Sequence, residues 1–304
     1  MRRRGTAVAI ALLGAALAIA GCGLGPGEDI GGVTLTVTRE YGARTLFEPV
    51  VESVAESDTV MRVLDRNAEI TTRYGGGFVE SIEGLGREDG PDRALDWLFY
   101  VNGVESSVGA AGYPLRGGEA IWWDFRDWSA AASVPAVVGS WPHPFVEGYE
   151  GRRRPVAVEC LGGGSACGVV HERLEEEMIE PARGSPGDAI RILVGPWARL
   201  ARDPSAALIA QGPEASGVFV QLVARRGGFF MRGFDEEGEQ ARAFGPGAGL
   251  VAATRREGGP PVWVVSGPRV SGVLAAARLL EADSLRNRYA VAVDRGEETA
   301  LPLP

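Results

Sequence analysis

The run Asp96-Trp-Leu-Phe-Tyr-Val-Asn-Gly-Val104 constrains this chain more than any other. Asn102-Gly103 is the dipeptide that best suits a type I′ turn, because both of its residues accept positive φ. An aromatic strand that meets such a turn must fold back as a hairpin. Side chains alternate across a strand, so Trp97, Phe99 and Val101 share one face while Leu98 and Tyr100 share the other. Arg116-Gly-Gly118 is a second turn, leading into Glu119-Ala-Ile-Trp-Trp-Asp-Phe125. Here Ile121, Trp123 and Phe125 form one face, and Trp122 joins Ala120 and Asp124 on the other. The first set of each strand reads as core. Tyr100 and Trp122 then fall on the opposite side of the sheet.

Upstream, Val33-Thr-Leu-Thr-Val-Thr38 alternates strictly and reads as a half-buried strand. A second strand is expected over Thr45 to Val50. A helix follows over Asp58 to Asn67, with Asp58 as N-cap and Val60, Val63 and Leu64 on its buried face. Ile70 to Tyr74 and Phe78 to Gly84 read as strands broken by Gly75-Gly-Gly77. The order β-β-α-β, then further strands, predicts one helix packed on a mixed sheet over 33–128, an α+β, β-grasp-like domain.

Residues 129–151 change texture and read as an ordered connector, with Trp141, Phe145 and Tyr149 available to pack. From 152 to 304 the rhythm becomes strand, helix, strand. Pro155 to Glu159, Ile190 to Val194, Pro261 to Val265 and Tyr289 to Val293 are the main strands. Val169 to Ile179 and Val270 to Leu280 are the main helices. That rhythm predicts an α/β, Rossmann-like, three-layer domain with right-handed crossovers in a parallel sheet.

The amino terminus reads as an export signal over 1–21. Arg2, Arg3 and Arg4 precede an apolar stretch from Ala7 to Ala20, which is short for a membrane span. Ile19-Ala-Gly-Cys22 is similar to the lipobox of bacterial lipoproteins. The resemblance implies lipidation of Cys22, cleavage before it, and a protein held by acyl chains on the extracytoplasmic face of the cell membrane. Residues 22–32, rich in glycine, read as a flexible tether. Loss of the three signal arginines takes the formal charge from −9 to −12. So acidic a chain is a poor candidate for nucleic acid, which demands a basic face. All basic residues are arginine, which excludes lysine-dependent chemistry. In an exported protein, Cys160 and Cys167, with glycines between them, read as a small disulfide loop. His171 is the only imidazole near them, so no metal site is expected.

The segment Val33 to Trp128 resembles the transcobalamin-like C-terminal domain family of bacterial exported proteins, part of the soluble-ligand-binding β-grasp group. The likeness rests on Val33-Thr-Leu-Thr-Val37, Thr59-Val-Met-Arg-Val-Leu64, Gly76-Gly-Phe-Val-Glu-Ser-Ile-Glu-Gly84 and Trp97-Leu-Phe-Tyr-Val-Asn-Gly103. Gly109, Tyr113-Pro-Leu-Arg-Gly-Gly-Glu119 and Ile121-Trp-Trp123 extend it. Glu119 stands where that family usually has Asp. The resemblance implies a β-grasp fold and a role in binding a ligand or partner, with cobalamin as a candidate ligand.

Tyr100 and Trp122, with Tyr74 and Phe78 beside the glycine loop, are the candidate ligand-binding residues: an exposed aromatic cluster often marks a binding surface. The alternative for Trp122 is burial under the connector or the second domain, since most large aromatics are substantially buried. No catalytic constellation is visible. Gly162 to Gly168 is not a nucleophile elbow, because Cys167 stands where Gly is needed. Gly245-Pro-Gly-Ala-Gly249 is not a dinucleotide fingerprint. Ser266 to Gly272, with Arg269, lies between a strand and a helix and reads as a plain helix start. The expected function is non-catalytic capture of a small ligand for uptake, with a transporter as partner. The alternative is an envelope interaction module that binds a protein or glycan.

Overall fold

The computed structural model describes residues 27–86, 88–89 and 94–304. In the first half, β1 (Val33–Arg39) turns back into β2 (Arg44–Phe47) and β3 (Val50–Val51), both antiparallel to it. The strand expected over Thr45 to Val50 is thus broken at Glu48-Pro49, where proline cannot donate to the ladder. Helix α1 (Val60–Asn67) follows. Its N-cap is Thr59, whose hydroxyl accepts from the Arg62 amide at 3.3 Å, and not Asp58 as expected. Asp58 is buried one residue earlier. It accepts two bonds of 2.6 Å from Arg66, in the last turn of the same helix.

Strands β4 (Ile70–Arg73), β5 (Phe78–Ile82) and β6 (Leu85–Gly86) make a small antiparallel sheet. The short β7 (Glu88–Asp89) leads into β8 (Ala94–Val101). The turn at Asn102 (φ 51°) and Gly103 (φ 71°) then returns the chain into β9 (Val104–Glu105). Strand β10 (Ala120–Asp127) closes the main sheet in the order β2-β1-β10-β8-β7. It runs parallel to β1 and antiparallel to β8, with Trp122 opposite Thr36 and Tyr100. One face, with Leu35, Val37, Trp97, Ile121, Trp123 and Phe125, packs on Val60, Val63 and Leu64 of α1. This alternation is the one the sequence reading assigned to core.

Residues 128–155 form an ordered strap with one short helix, α2 (His143–Val146). The second half contains β11 (Val156–Cys160), α3 (Ala166–Glu176), β12 (Ile190–Pro196), α4 (Trp197–Leu200) and α5 (Pro213–Ser216). Then come β13 (Val220–Arg225), β14 (Gly228–Phe234), β15 (Gln240–Ala243), β16 (Gly249–Arg255) and β17 (Pro261–Gly267). Helices α6 (Val270–Ala277) and α7 (Ala282–Leu285) precede β18 (Ala290–Asp294) and β19 (Glu297–Leu301). The central sheet runs β11-β12-β17-β16-β18-β19. Only β11, β12 and β17 pair in parallel; β16, β18 and β19 are antiparallel to their neighbours. The parallel sheet expected from the strand–helix rhythm is therefore mixed. The crossover from β17 through α6 to β18 does place two parallel strands, but β16 lies between them. Strands β13, β14 and β15 form a separate antiparallel sheet.

The whole is a mixed α+β structure, rich in sheet, with several sheets and few helices among the described residues. The central sheet is buried on both sides. Ile190, Ile192, Val251, Trp263, Val265 and Val291 face α3 and α6, and the strap residues Trp141, Phe145 and Tyr149 join that core. Leu193, Leu250, Val262, Val264, Ala290 and Ala292 face the other way, into a core that they share with Tyr41, Tyr100 and Trp122 of the first half. The two halves thus pack through a common interior.

Candidate functional site

Where the first sheet runs out from under the second half, it leaves a cleft of about 670 Å³. Thr34 and Thr36 of β1, Ala120 and the Trp122 ring form the floor, because they lie on the face turned away from α1. One rim is Glu48, Pro49 and Val50, with Val50 largely in solvent at 83% exposure. The opposite rim is Gly139, Ser140, Trp141 and His143 of the strap, with Ala282, Arg286 and Asn287 from the α7 region. A polar clasp bridges the rims. The Glu48 carboxylate accepts from the Arg286 guanidinium, from Asn287 Nδ2 at 3.1 Å and from the Thr36 hydroxyl at 3.4 Å. Asn287 also donates to the Thr45 hydroxyl at 3.2 Å. The cleft therefore offers apolar contact from proline, valine and tryptophan beside a few fixed polar groups, the usual make-up of a small-molecule site. His143 Nδ1 lies 3.2 Å from the Ser140 carbonyl, and burial lowers its pKa from the ordinary imidazole value.

Behind the cleft lies a buried polar knot. Asp124 accepts from the Thr38 hydroxyl at 2.5 Å, from the Gly42 amide at 3.1 Å and from the Tyr289 hydroxyl at 2.9 Å. The Trp122 indole donates to Thr38 at 2.7 Å. Burial raises the Asp124 pKa against these donors, and it pushes the Tyr100 phenol up to about 12. Arg126 is fully buried next to them. It donates to the carbonyls of Asp127 and Ala131 and sits 5.4 Å from the Tyr41 ring centre. Glycine permits this close approach. Gly42 has φ +81°, and a Cβ there would lie 1.9 Å from the Asn287 carbonyl oxygen.

These positions divide the four sequence candidates. Tyr74 and Phe78 are exposed, at 81% and 61%, with ring centres 6.0 Å apart across the glycine loop. Tyr100 and Trp122 are buried, so the exposed platform expected of them is not formed. Their rings pack 5.7 Å from each other and within 6 Å of Tyr289. The reason is that the second half covers their face of the sheet. Trp122 still lines the cleft. Cys160 and Cys167 are paired, with Cα atoms 6.0 Å apart. Cys22 and the signal segment lie outside the described residues. Among the described residues no helix is long and apolar enough to cross a membrane, and no group of three or more His, Cys, Asp or Glu is placed to hold a metal.

Sequence reasoning missed Glu48, Arg286, Asn287 and Tyr289. The clasp joins residues about 240 positions apart, and no local pattern announces such a pairing. Tyr289 did carry a signal, being an aromatic at the start of a strand buried on both faces, but its partner Asp124 did not.

The family match bears on the first half. The profile of a domain of unknown function, DUF4430, matches residues 57–127, less than half of the chain. No curated protein matches. Among solved structures, haptocorrin in complex with Cbi is similar at 20% identity and a TM-score of 0.27, over 33% of this chain and 25% of that one. A candidate metal-binding protein from Ruminococcus gnavus is similar at 18% identity and a TM-score of 0.26, over 32% of this chain and 97% of that one. The chain thus spans about a quarter of the haptocorrin chain. What these comparisons establish is a DUF4430 domain match over residues 57–127.

Proposed function

We propose that this protein is a non-catalytic binding protein that captures a small amphipathic ligand in the cleft between its halves. The cleft carries the reading. Its volume lies in the range of about 300–1,000 Å³ that suits drug-sized ligands. The parallel pairing of β1 with β10 at the sheet centre, with α1 across one face, supports a β-grasp for 33–127. The α3 and α6 layer supports a Rossmann-like arrangement, modified by its antiparallel strands, for the second half. The lipobox-like run at Cys22 supports anchoring outside the cytoplasmic membrane, where a captured ligand would pass to a transporter. The sequence resemblance makes a corrinoid the first probe. A complete corrinoid exceeds a drug-sized ligand, so this cleft would grip one edge of it.

The test is fluorescence titration of the full chain, since Trp122 and Trp141 both line the cleft. Cobalamin or cobinamide at micromolar levels should quench the emission. Thr36→Trp, which fills the floor, should abolish the effect while the circular dichroism spectrum stays unchanged. Quenching that persists undiminished in Thr36→Trp would place the ligand elsewhere. No response to either corrinoid would remove that ligand class and leave smaller amphipathic molecules to be screened.

A second reading, an envelope interaction module, is favoured by one observation. Tyr74 and Phe78 stand in solvent on a glycine loop, where nothing in the fold requires two aromatic rings. Loss of envelope retention on Tyr74→Ala with Phe78→Ala, with corrinoid binding unchanged, would mark this surface as the partner site.

A further inference from the structure

The amino-terminal run that leads from Cys22 into β1 is fixed along the wall of the cleft. The Ile30 amide donates to the Val54 carbonyl at 2.9 Å, and the Gly118 amide donates to the Gly32 carbonyl at 2.8 Å. Gly117 approaches so closely that a Cβ on it would meet the Ile30 carbonyl oxygen at 1.8 Å. Gly32, Val33 and Gly118 all line the cleft. Gly27 lies against Glu56 and is five positions from Cys22. Five residues of chain reach at most about 18 Å. An acylated Cys22 would therefore hold the mouth of this cleft close to the bilayer surface.

The shape and chemistry of the cleft fit a molecule that comes from there. Its floor follows β1 from Gly32 to Thr36, beside Ala120 and Trp122 of β10. At about 3.3 Å per residue this is a trough roughly 13 Å long. Proline, valine and tryptophan flank it, and no packing within the fold accounts for Val50 on its rim. The cationic group is at one place. Arg286 gives one nitrogen to Glu48, and its side chain is otherwise largely in solvent, 65% exposed. Among the described residues no other hydrogen bond engages that guanidinium. An apolar trough takes an acyl chain, since each buried methylene contributes about 0.8 kcal/mol. A guanidinium with donors to spare takes a carboxylate or phosphate head.

Building on the reading of the cleft as a ligand site, we propose that its occupant is a single-chain anionic lipid drawn from the bilayer. The acyl chain lies along the β1–β10 floor and the head meets Arg286. A two-chain phospholipid exceeds a cleft of this size, which suits drug-sized ligands.

The test uses the full chain as Cys22→Ser, which carries no acyl chain of its own, with dibromostearate as probe. Bromine quenches tryptophan only at short range; Trp122 and Trp141 line the cleft, and residues 1–26 contain no tryptophan. Dibromostearate at micromolar levels should quench the emission, and unbrominated stearate should displace it. Across saturated fatty acids, each added methylene should tighten binding up to about fourfold, until the chain outgrows the floor and affinity levels off. Arg286→Gln should weaken dodecanoate at least fivefold and leave dodecanol unchanged, a split that a merely structural loss would not give. Val50→Asp, at an exposed position, should weaken both. Quenching by cobinamide but not by dibromostearate would keep the cleft as a binding site and overturn the lipid, as would an affinity indifferent to chain length. No response to any probe would remove the cleft reading and the lipid with it. Binding by Cys22→Ser that acylation of Cys22 abolishes would give the cleft to the anchor's own chain and overturn the bilayer source.

Discussion

The Tyr289 hydroxyl donates to Asp124 Oδ2 at 2.9 Å, inside a core that neither half of the chain could close alone. Tyr289 lies at the entry to β18, and Asp124 lies on β10. Their bond joins the entry of β18, in the central sheet of the second half, to the centre of the first sheet. Tyr289→Phe keeps the ring packing and removes only this donor. It should destabilise the protein by about 1–3 kcal/mol, the cost of leaving a buried acceptor short of a partner. Urea unfolding followed by tryptophan fluorescence and by circular dichroism should give one coincident transition, shifted to lower denaturant. Two separated transitions in the parent would refute the shared core.

The raised pKa of Asp124 carries a sign. A carboxyl whose folded value lies above its unfolded value binds more protons in the folded state, so stability falls as pH rises from the ordinary Asp value, about 3.9, through the folded one. Asp124→Asn, which cannot titrate, should flatten that slope. The measurement is Tm against pH for both proteins between pH 4 and pH 8, and an unchanged slope in Asp124→Asn would count against a raised value.

Asp58 has the opposite sign. The bond from Arg66 holds its carboxyl below the ordinary value, so its contribution is present above about pH 4 and is lost as pH falls through the lower folded value. Arg66→Ala should cost about 1–2 kcal/mol at neutral pH, much of the guanidinium being in solvent. It should also make acid unfolding less steep. Equal acid sensitivity in both proteins would show that the pair does not control it.

The disulfide closes a loop of seven residues by sequence separation. A loop that short gives about 2.5 kcal/mol on the chain-entropy argument. Thiol titration of the unreduced Cys22→Ser protein should find no free thiol, and reduction should lower the stability by no more than that amount. Two reactive thiols before reduction would contradict the pairing.

Gly42→Ala should be among the most damaging single-methyl changes in the molecule. It puts a Cβ on a left-handed residue and drives it into the Asn287 carbonyl and the Trp122 ring. A loss of about 2–4 kcal/mol is expected from strain and overpacking together. Gly75→Ala, on an exposed loop at φ +69° with open space around it, should cost about 1 kcal/mol. Similar losses for the two would argue that backbone strain alone decides.

Much of this architecture was legible from residue patterns. Periodicity placed α1, β1, β8 and β10, because each buries one face and strict alternation or helical spacing records which. It could not say what covers the second face. Trp122 and Tyr100 could be read as an exposed platform, though burial is the commoner state of a large aromatic, and the position of Tyr289 and Phe219 decides for interior. Apolar strands such as Val262 to Val265 announce burial on both faces but not direction, so the antiparallel insertion of β16 beside β17 left no mark. The cleft was invisible for the same reason. Its clasp of Glu48, Arg286 and Asn287 joins ordinary surface residue types that acquire meaning only through proximity. The Asn102 turn was legible in part: φ was expected to be positive, but its side chain also binds the Ala120 amide and the Gly148 carbonyl, which ties the strap to the sheet.

Because Tyr41, Tyr100, Trp122, Asp124 and Arg126 face inward onto the second half, the first 128 residues are not a portable part. Moved alone onto another protein, they would carry an unsheltered aromatic face with a buried acid and a buried guanidinium at its centre. Recombination could transplant this segment only together with its cover, or after those five positions had been rewritten for water.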